Sequence, residues 1–425
     1  MSMPPKRLLD DCFLHDRDRL RHEEALALIA ERIRPVAGVE EVALEAAHGR
    51  ILAEPVAAPR NVPAFANAAV DGYAFRARDV DPAAATALPL GLRVSAGDPV
   101  GLALKAGTAA RIFTGAPVPE GADTVIMQED AARSGDRVEI PAGVRQGANI
   151  RKAGEDLAEG EAVVEAGARL RPQELAAIAS TGCGRVVCRE RLRVALVSTG
   201  DEIVRPGAAL RPGQVYDSNH YLLRGLLETV GAEIHDMGIL PDDETVVREA
   251  VGRAAREVHV IVTTGGASRG EADHIVSTIS ELGALHAWQL AIKPGRPLAF
   301  GQIGEMVFLG FPGNPVAVFV CFLLYGRPLL AGLQGAAWQA PRGFLVPAGF
   351  EIAKKKPDRR EFLRGWVEET ADGPVARKFP RDGSGLISGL RAADGLIELP
   401  EEVTRIAPGD PVRYLPFTAF GLMPR

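Results

Sequence analysis

At 425 residues the chain is too long for one compact core, and about 100–200 residues per domain predicts two to four domains. Its 47% hydrophobic and 24% charged content is ordinary for folded protein and excludes a disordered or collagen-like chain. A net charge of −6 excludes a general nucleic-acid binder, which needs a basic face, while leaving room for a local basic pocket.

The opening Met1-Ser2-Met3-Pro4-Pro5-Lys6-Arg7 is soon charged and has no apolar h-region, so no secretory leader is expected. Over residues 17–34, Leu20, Leu26, Leu28, Ile29 and Ile33 stand among charges, which predicts an amphipathic helix ending before Pro35. From about 40 to 165, short apolar stretches alternate with Gly, Pro and Asp, as in Gly97-Asp98-Pro99 and Ser134-Gly135-Asp136, and read as a β-rich region. A short helix over 172–180 has Pro172 near its first position.

At 191 the rhythm changes. Arg193 to Ser198 is almost continuously apolar, as expected of a strand buried on both faces. A helix over about 219–230 follows, capped by Asp217, Ser218 or Asn219. Then come a strand near 232–238, a helix near 242–256, a strand at 259–262 and a helix near 271–282. Strands near 286–291 and 306–310 precede a last helix after Pro315. This alternation predicts a parallel sheet with helices on both faces. From about 333 the strand-and-turn texture returns, with Asp372-Gly373-Pro374 and Asp382-Gly383, and predicts a small C-terminal β domain. The most apolar run, Val316 to Tyr325, is about half the length of a membrane span, so no membrane association is expected. Cys12, Cys183, Cys188 and Cys321 form no C-x-x-C pair, which argues against a zinc ribbon or redox motif and for a cytoplasmic protein.

Ligands of an open parallel sheet bind outside the carboxyl ends of its strands. Three loops fall there: Ser198-Thr199-Gly200-Asp201-Glu202, Thr263-Thr264-Gly265-Gly266, and Gly310-Phe311-Pro312-Gly313-Asn314-Pro315. Paired glycines let backbone N–H groups approach an anion, and a following helix N-terminus adds about 0.3–1 kcal/mol. Asp201, Glu202, Asp242, Asp243 and Asp273 crowd the same edge. Two carboxylates about 4 Å apart repel by about 1 kcal/mol in water and by about 4 kcal/mol at an effective dielectric near 20. Such a cluster calls for a cation such as Mg²⁺, protonation or basic partners, although Asp201, Asp242 and Asp273 also stand where helix caps would. Lys293-Pro294-Gly295-Arg296-Pro297 places two cations on a stiff turn, able to hold phosphate or molybdate or simply to be solvated. His48, His220, His235, His259, His274 and His286 show no metal-ligand spacing.

These segments, STGDE, VYDSN, TTGG-x₄-GEAD, AIKPG-x-P and FPGNPV, occur in an order and spacing that resemble the molybdopterin molybdenumtransferase family, which includes MoeA and the gephyrin E-domain. Val70-Asp71-Gly72-Tyr73-Ala74 resembles the family's MDGYA, Arg111 to Ala116 its RI-x-TGA, and Asn149 to Asp156 its NIR-x₃-GED. Glu361-Phe362-Leu363-Arg364-Gly365 and Asp394-Gly395-Leu396-Ile397 look like its final domain. The match runs over about residues 20–415.

The resemblance implies a multidomain α/β plus β protein. Domain I would take 1–45 and 159–190, with the β-rich domain II inserted over 46–158. A parallel-sheet α/β molybdopterin-binding domain III would cover 191–332, and a C-terminal β-barrel, domain IV, 333–425. It implies a homodimer in which domain II of one chain closes over domain III of the other, with Asp71 and Thr114 acting across it. The implied substrates are molybdate and adenylated molybdopterin, with AMP released and Mg²⁺ as cofactor. Molybdopterin adenylyltransferase and molybdoenzymes are the implied partners.

By the same resemblance, Ser198, Thr199, Gly200, Thr264, Gly265, Gly266, Arg296, Pro312, Gly313 and Asn314 would bind the pterin nucleotide. Glu202, Asp242 and Asp273 would hold the metal, Lys293 would draw in molybdate, and Asp71, Thr114 and Asp156 would complete the catalytic set. Gln289 and His220 stand where many members carry a basic residue, and Val70 and His274 also depart from the pattern. Loss of two cations should weaken an anion site, which leaves open a non-catalytic carrier of molybdopterin or molybdate.

Overall fold

The strand Arg193–Thr199 alternates its side chains between two cores. Val194 and Leu196 join Leu223, Leu227, Val316 and Val320 on one face, and Ala195 and Val197 join Val247, Val251, Ile275 and Ile279 on the other. In this computed structural model, which describes residues 19–265, 274–337 and 339–423, that strand lies in a six-stranded sheet. The order is Glu233–Leu240, Arg193–Thr199, Val260–Thr264, Met306–Phe311, Pro297–Ile303, Ala284–Gln289. Helices Ser218–Thr229 and Pro315–Cys321 cover one face, and Glu244–Glu257 and His274–Leu282 the other.

The first four strands are parallel, as the α/β rhythm predicts. The sheet as a whole is mixed, which corrects the expectation of an all-parallel one. Pro297–Ile303 runs antiparallel to both its neighbours. It returns into Met306–Phe311 through the two-residue turn Gly304-Glu305, with Gly304 at φ 59°. Its sequence, opening on proline straight after the KPGR turn, hides a strand that the chain-order reading missed.

The last helix starts at Pro315, continues through a π-turn over Phe322–Gly326 and ends at Leu333. Its 19 residues have a mean hydropathy of 2.0, long and apolar enough to cross a membrane, yet 83% of its apolar window is buried in the fold. Its apolar surface is met by the sheet, by Ala25 and Ile29 of helix His22–Arg32, and by Phe362 and Phe417 of the C-terminal region.

Upstream, Val39–Ala43 pairs antiparallel with Arg185–Arg189, and Val42, Leu52, Val164, Ile178 and Val186 share a core with helix Pro172–Ser180. A neck closes where Ala58 N–H donates to Glu161 O and Gly160 N–H to Ala58 O, each 2.8 Å. Beyond it lies a second six-stranded sheet containing Gly72–Phe75 and Ala109–Ile112, with a core on each face.

At the C-terminal end, Phe344–Pro347, Arg360–Thr370, Gly373–Lys378, Gly395–Leu399 and Pro411–Pro416 form an antiparallel sheet. A closed barrel was expected. The outer strands instead meet at a single bridge, Ala348 to Ala376, not along a continuous ladder. Ile292–Lys293 joins this sheet parallel to Arg360–Glu361, so the C-terminal region is stitched to the α/β core where the KPGRP turn begins.

Candidate active site

Register fixes the carboxyl edge. Thr199 lies opposite Leu240, Ser198 opposite Thr264, and Thr264 opposite Phe311. The STGDE, TTG and FPGNP segments therefore leave the sheet on one edge. Gly265 N–H donates to Phe311 O at 3.0 Å, and Asn219 Nδ2 donates to Gly313 O at 2.7 Å, tying the FPGNP loop to helix Ser218–Thr229. Gly265 sits at φ 97°, a conformation that favours glycine.

A cavity of about 580 Å³ opens here, lined by Gly265, Lys293, Arg296, Pro312, Gly313 and Asn314. All six belong to the predicted set. The N-terminus of the last helix faces it, with Asn314 as N-cap and Pro315 at the first position. The KPGRP turn is not a solvated hairpin. Gly295, at φ 98°, leaves no space for a Cβ against Cys321 Sγ, and Cys321 Sγ donates to Gly295 O at 3.3 Å. Burial pushes the Cys321 thiol well above its usual range, so it is an inert packing group. Lys293 Nζ lies 3.6 Å from Glu361, which Arg359 also holds at 2.5 Å. Arg296 makes no ion pair among the described residues.

The opposite wall went unpredicted. It comes from the C-terminal region: Phe362 and Arg364 on a strand of its sheet, and Phe379, Asp382 and Ser384 on the segment that follows Gly373–Lys378. Arg364 is buried, donates to Leu386 O at 2.9 Å and Arg381 O at 3.0 Å, and stacks on Phe379. Val316 N–H donates to Ser384 O at 2.9 Å, seating the loop on the helix start. The available signal was an arginine inside the otherwise apolar Phe362-Leu363-Arg364-Gly365-Trp366 run.

The other predicted residues lie elsewhere. Ser198 is buried and donates to Asp217 Oδ2 at 2.6 Å, below the loops. Thr199 and Gly200 form the strand end, and Glu202 folds its carboxylate back over Gly200. Gly266 and Asp273 lie outside the described residues. Asp201 Oδ1 accepts from Asp242 N–H at 3.4 Å. Asp243, not Asp242, is the cap of Glu244–Glu257, accepting from Val246 N–H, because its carboxylate reaches the third backbone N–H of that helix.

Arg205 is committed to Asp217 and Asp236, and among the described residues no ion pair involves Asp201, Glu202 or Asp242. Among the described residues no group of three His, Cys, Asp or Glu is disposed to hold a metal.

Asp71 and Thr114, 43 positions apart, form one unit on the inserted sheet. Thr114 donates to Asp71 Oδ1 from its hydroxyl at 2.7 Å and its N–H at 2.8 Å, which holds the carboxyl below its usual range. Asp156 is exposed on a loop whose N–H donates to Val62 O. None of the three lines the cavity of its own chain.

The two substitutions expected to weaken an anion site do not reach it. His220 is 4% exposed, beside Asp236 at 3.5 Å, and burial lowers its pKa, so it is a neutral packing group. Gln289 is exposed at the end of an edge strand, where its carbonyl accepts from Leu20 N–H. Neither lines the cavity, which removes the ground for reading the chain as a mere carrier.

Comparison with known proteins follows the same divisions. Residues 20–182 match the model of the MoeA N-terminal region (domain I and II). Residues 195–332 match the probable molybdopterin binding domain, and 347–417 the MoeA C-terminal region (domain IV). A molybdopterin molybdenumtransferase of Haemophilus influenzae is 36% identical over 401 residues, covering 93% of this chain and 98% of its own. Another, from Nostoc, is 38% identical over 388 residues and covers 88% of each. The crystal structure of a molybdopterin biosynthesis MoeA protein from Pyrococcus horikoshii superposes with a TM-score of 0.80 at 30% identity, over 94% of this chain and all of that one.

Proposed function

Because the chain belongs to the molybdopterin molybdenumtransferase family, and is a transferase of molybdenum cofactor biosynthesis, we propose that its cavity is where molybdenum from molybdate enters adenylated molybdopterin and AMP is released. The observation that carries this is the convergence of Gly265, the KPGRP turn, the FPGNP loop and Arg364 around one space.

Backbone N–H groups at Gly265 and at the helix start suit the phosphate oxygens of the nucleotide. Arg296, which lacks a carboxylate partner among the described residues, offers a bidentate fork to phosphate or molybdate. Lys293, half-neutralised by Glu361, is free to offset charge as AMP departs. Ser198 acts through Asp217, holding the cap of helix Ser218–Thr229 beneath the loops. Glu202, Asp242 and Asp273 would hold Mg²⁺, which would neutralise phosphate charge.

In this reading the Asp71–Thr114 pair and Asp156 serve the cavity of a second copy, making the active protein a homodimer. The inserted domain is entered and left at the Ala58–Glu161 neck, and the C-terminal sheet is the barrel-like domain IV. The protein works in the cytoplasm between a molybdopterin adenylyltransferase and the recipient molybdoenzymes. Purified protein given adenylated molybdopterin, molybdate and Mg²⁺ releases AMP. Tight pterin binding with no AMP release overturns the proposal.

A further inference from the structure

A second cavity, of about 510 Å³, lies between helix His22–Arg32, the last helix and the C-terminal sheet. Its acids are already engaged. Glu23 and Glu398 pair with Arg360, Glu398 also pairs with Arg413, and Glu174 pairs with Arg171. Three of its arginines, Arg169, Arg327 and Arg342, have no carboxylate partner among the described residues, and burial desolvates the first two. Arg169 donates only to backbone, to Gly49 O at 2.8 Å and Val230 O at 3.3 Å. Arg327 makes no hydrogen bond or ion pair with any described residue, and its Nε is shut off from solvent with no acceptor.

Both guanidinium groups line the cavity, and burial lowers the pKa of each, that of Arg169 further through the charges of Arg327 and Arg191. A desolvated charge without a partner is costly to fold, and a bound anion offsets that cost. One part of the wall is apolar, including Leu26, Leu323, Ala331 and Phe420, while His22, Gln339 and Arg342 add polar groups.

We infer that this cavity binds a phosphate monoester with an apolar body, its oxygens between Arg169 and Arg327 and its body against Leu26, Leu323 and Phe420. The two desolvated cations, Arg169 and Arg327, match a group carrying about −1.5 to −2 charge near pH 7, and a guanidinium fork suits its oxygens. Bare phosphate would leave the apolar wall uncovered. The site shares no lining residue with the first cavity, so the proposal stands apart from the transferase reading.

The test is calorimetric titration of the full chain with phenyl phosphate and with inorganic phosphate. Phenyl phosphate is expected to bind at least about tenfold tighter, about 1.4 kcal/mol. Arg327→Met should abolish that preference and Arg296→Met, in the first cavity, should leave it. Ala331→Glu, one helical turn from Arg327, should place a carboxylate where the phosphate would sit and also abolish binding. Without ligand, both Arg327→Met and Ala331→Glu should raise the melting temperature, whereas removing a merely structural arginine would lower it. Equal affinity for the two phosphates overturns the inference. So does unchanged binding in Arg327→Met, or loss of binding in Arg296→Met alone.

Discussion

Gly295→Ala tests how the cavity is held in shape. The added methyl meets Cys321 Sγ inside van der Waals contact, while Ala317 O at 3.5 Å and Ile292 Cδ1 at 3.6 Å leave it room elsewhere. A φ of 98° adds backbone strain of about 1–2 kcal/mol for a non-glycine residue. Overpacking against a buried sulfur adds about 1–3 kcal/mol, so the variant should lose about 2–5 kcal/mol. Cys321→Ala alone should cost about 1 kcal/mol, an ordinary core change. In the double variant the sulfur is gone and only strain and the lost sulfur remain. It should therefore be more stable than the sum of the singles by roughly 1–3 kcal/mol. Urea denaturation followed by tryptophan fluorescence gives the four stabilities. AMP release should fall about a hundredfold in Gly295→Ala, since a shift near 1 Å at Lys293 and Arg296 suffices, and should partly recover in the double variant. Additive stabilities, or full activity in Gly295→Ala, would refute the claim that the KPGRP turn is seated on Cys321.

Three further outcomes follow from the same structure. His22 is 6% exposed against Tyr325 and Phe362, and burial, aided by Arg360, brings its pKa down to about 3. Its folded pKa lies below the unfolded 6.5, so between those values the unfolded chain binds one more proton. Its contribution to stability falls by up to about 1.4 kcal/mol for each pH unit of acidification in that window. Unfolding midpoints from pH 7 to pH 4 should show a shallower slope in His22→Gln, and equal slopes would count against it. In Thr114→Val the Asp71 carboxyl should titrate higher, because its main hydrogen-bond donor is gone; an unmoved carbon-13 titration curve would deny the pairing. Arg364→Lys replaces the planar fork that reaches Leu386 O and Arg381 O with a single point donor that cannot stack on Phe379, and charged hydrogen bonds are worth about 1.5–3 kcal/mol each. Substrate KM should rise about tenfold with a smaller change in kcat, and an unchanged KM would remove Arg364 from the wall.

Local chemistry made much of this readable from the chain alone. An apolar run such as Arg193 to Ser198 is a strand buried on both faces whatever surrounds it, and its period of two sends alternate side chains to the two cores. Glycine and proline mark where strands stop, so the STGDE, TTG and FPGNP loops could be located, and parallel β–α–β linkage forces such ends onto one edge. The acidic residues were identified as a set, but not sorted. Whether Asp242 or Asp243 caps a helix turns on one residue of register, below the resolution of a pattern.

Contacts between distant segments were decided only in three dimensions. Arg364 and Ser384 reach the cavity because Ile292–Lys293 pairs with Arg360–Glu361, a short parallel bridge with no local signature. Asp71 finds Thr114, 43 positions away, because the strands Gly72–Phe75 and Ala109–Ile112 beside them lie side by side. His220 and Gln289 looked like missing cations in the chain, yet one is buried beside Asp236 and the other stands at a sheet edge. Periodicity along a chain encodes which face of an element meets the core. It carries no information on which partner, tens or hundreds of residues away, that face will meet, and the charge balance of this cavity depends on those partners.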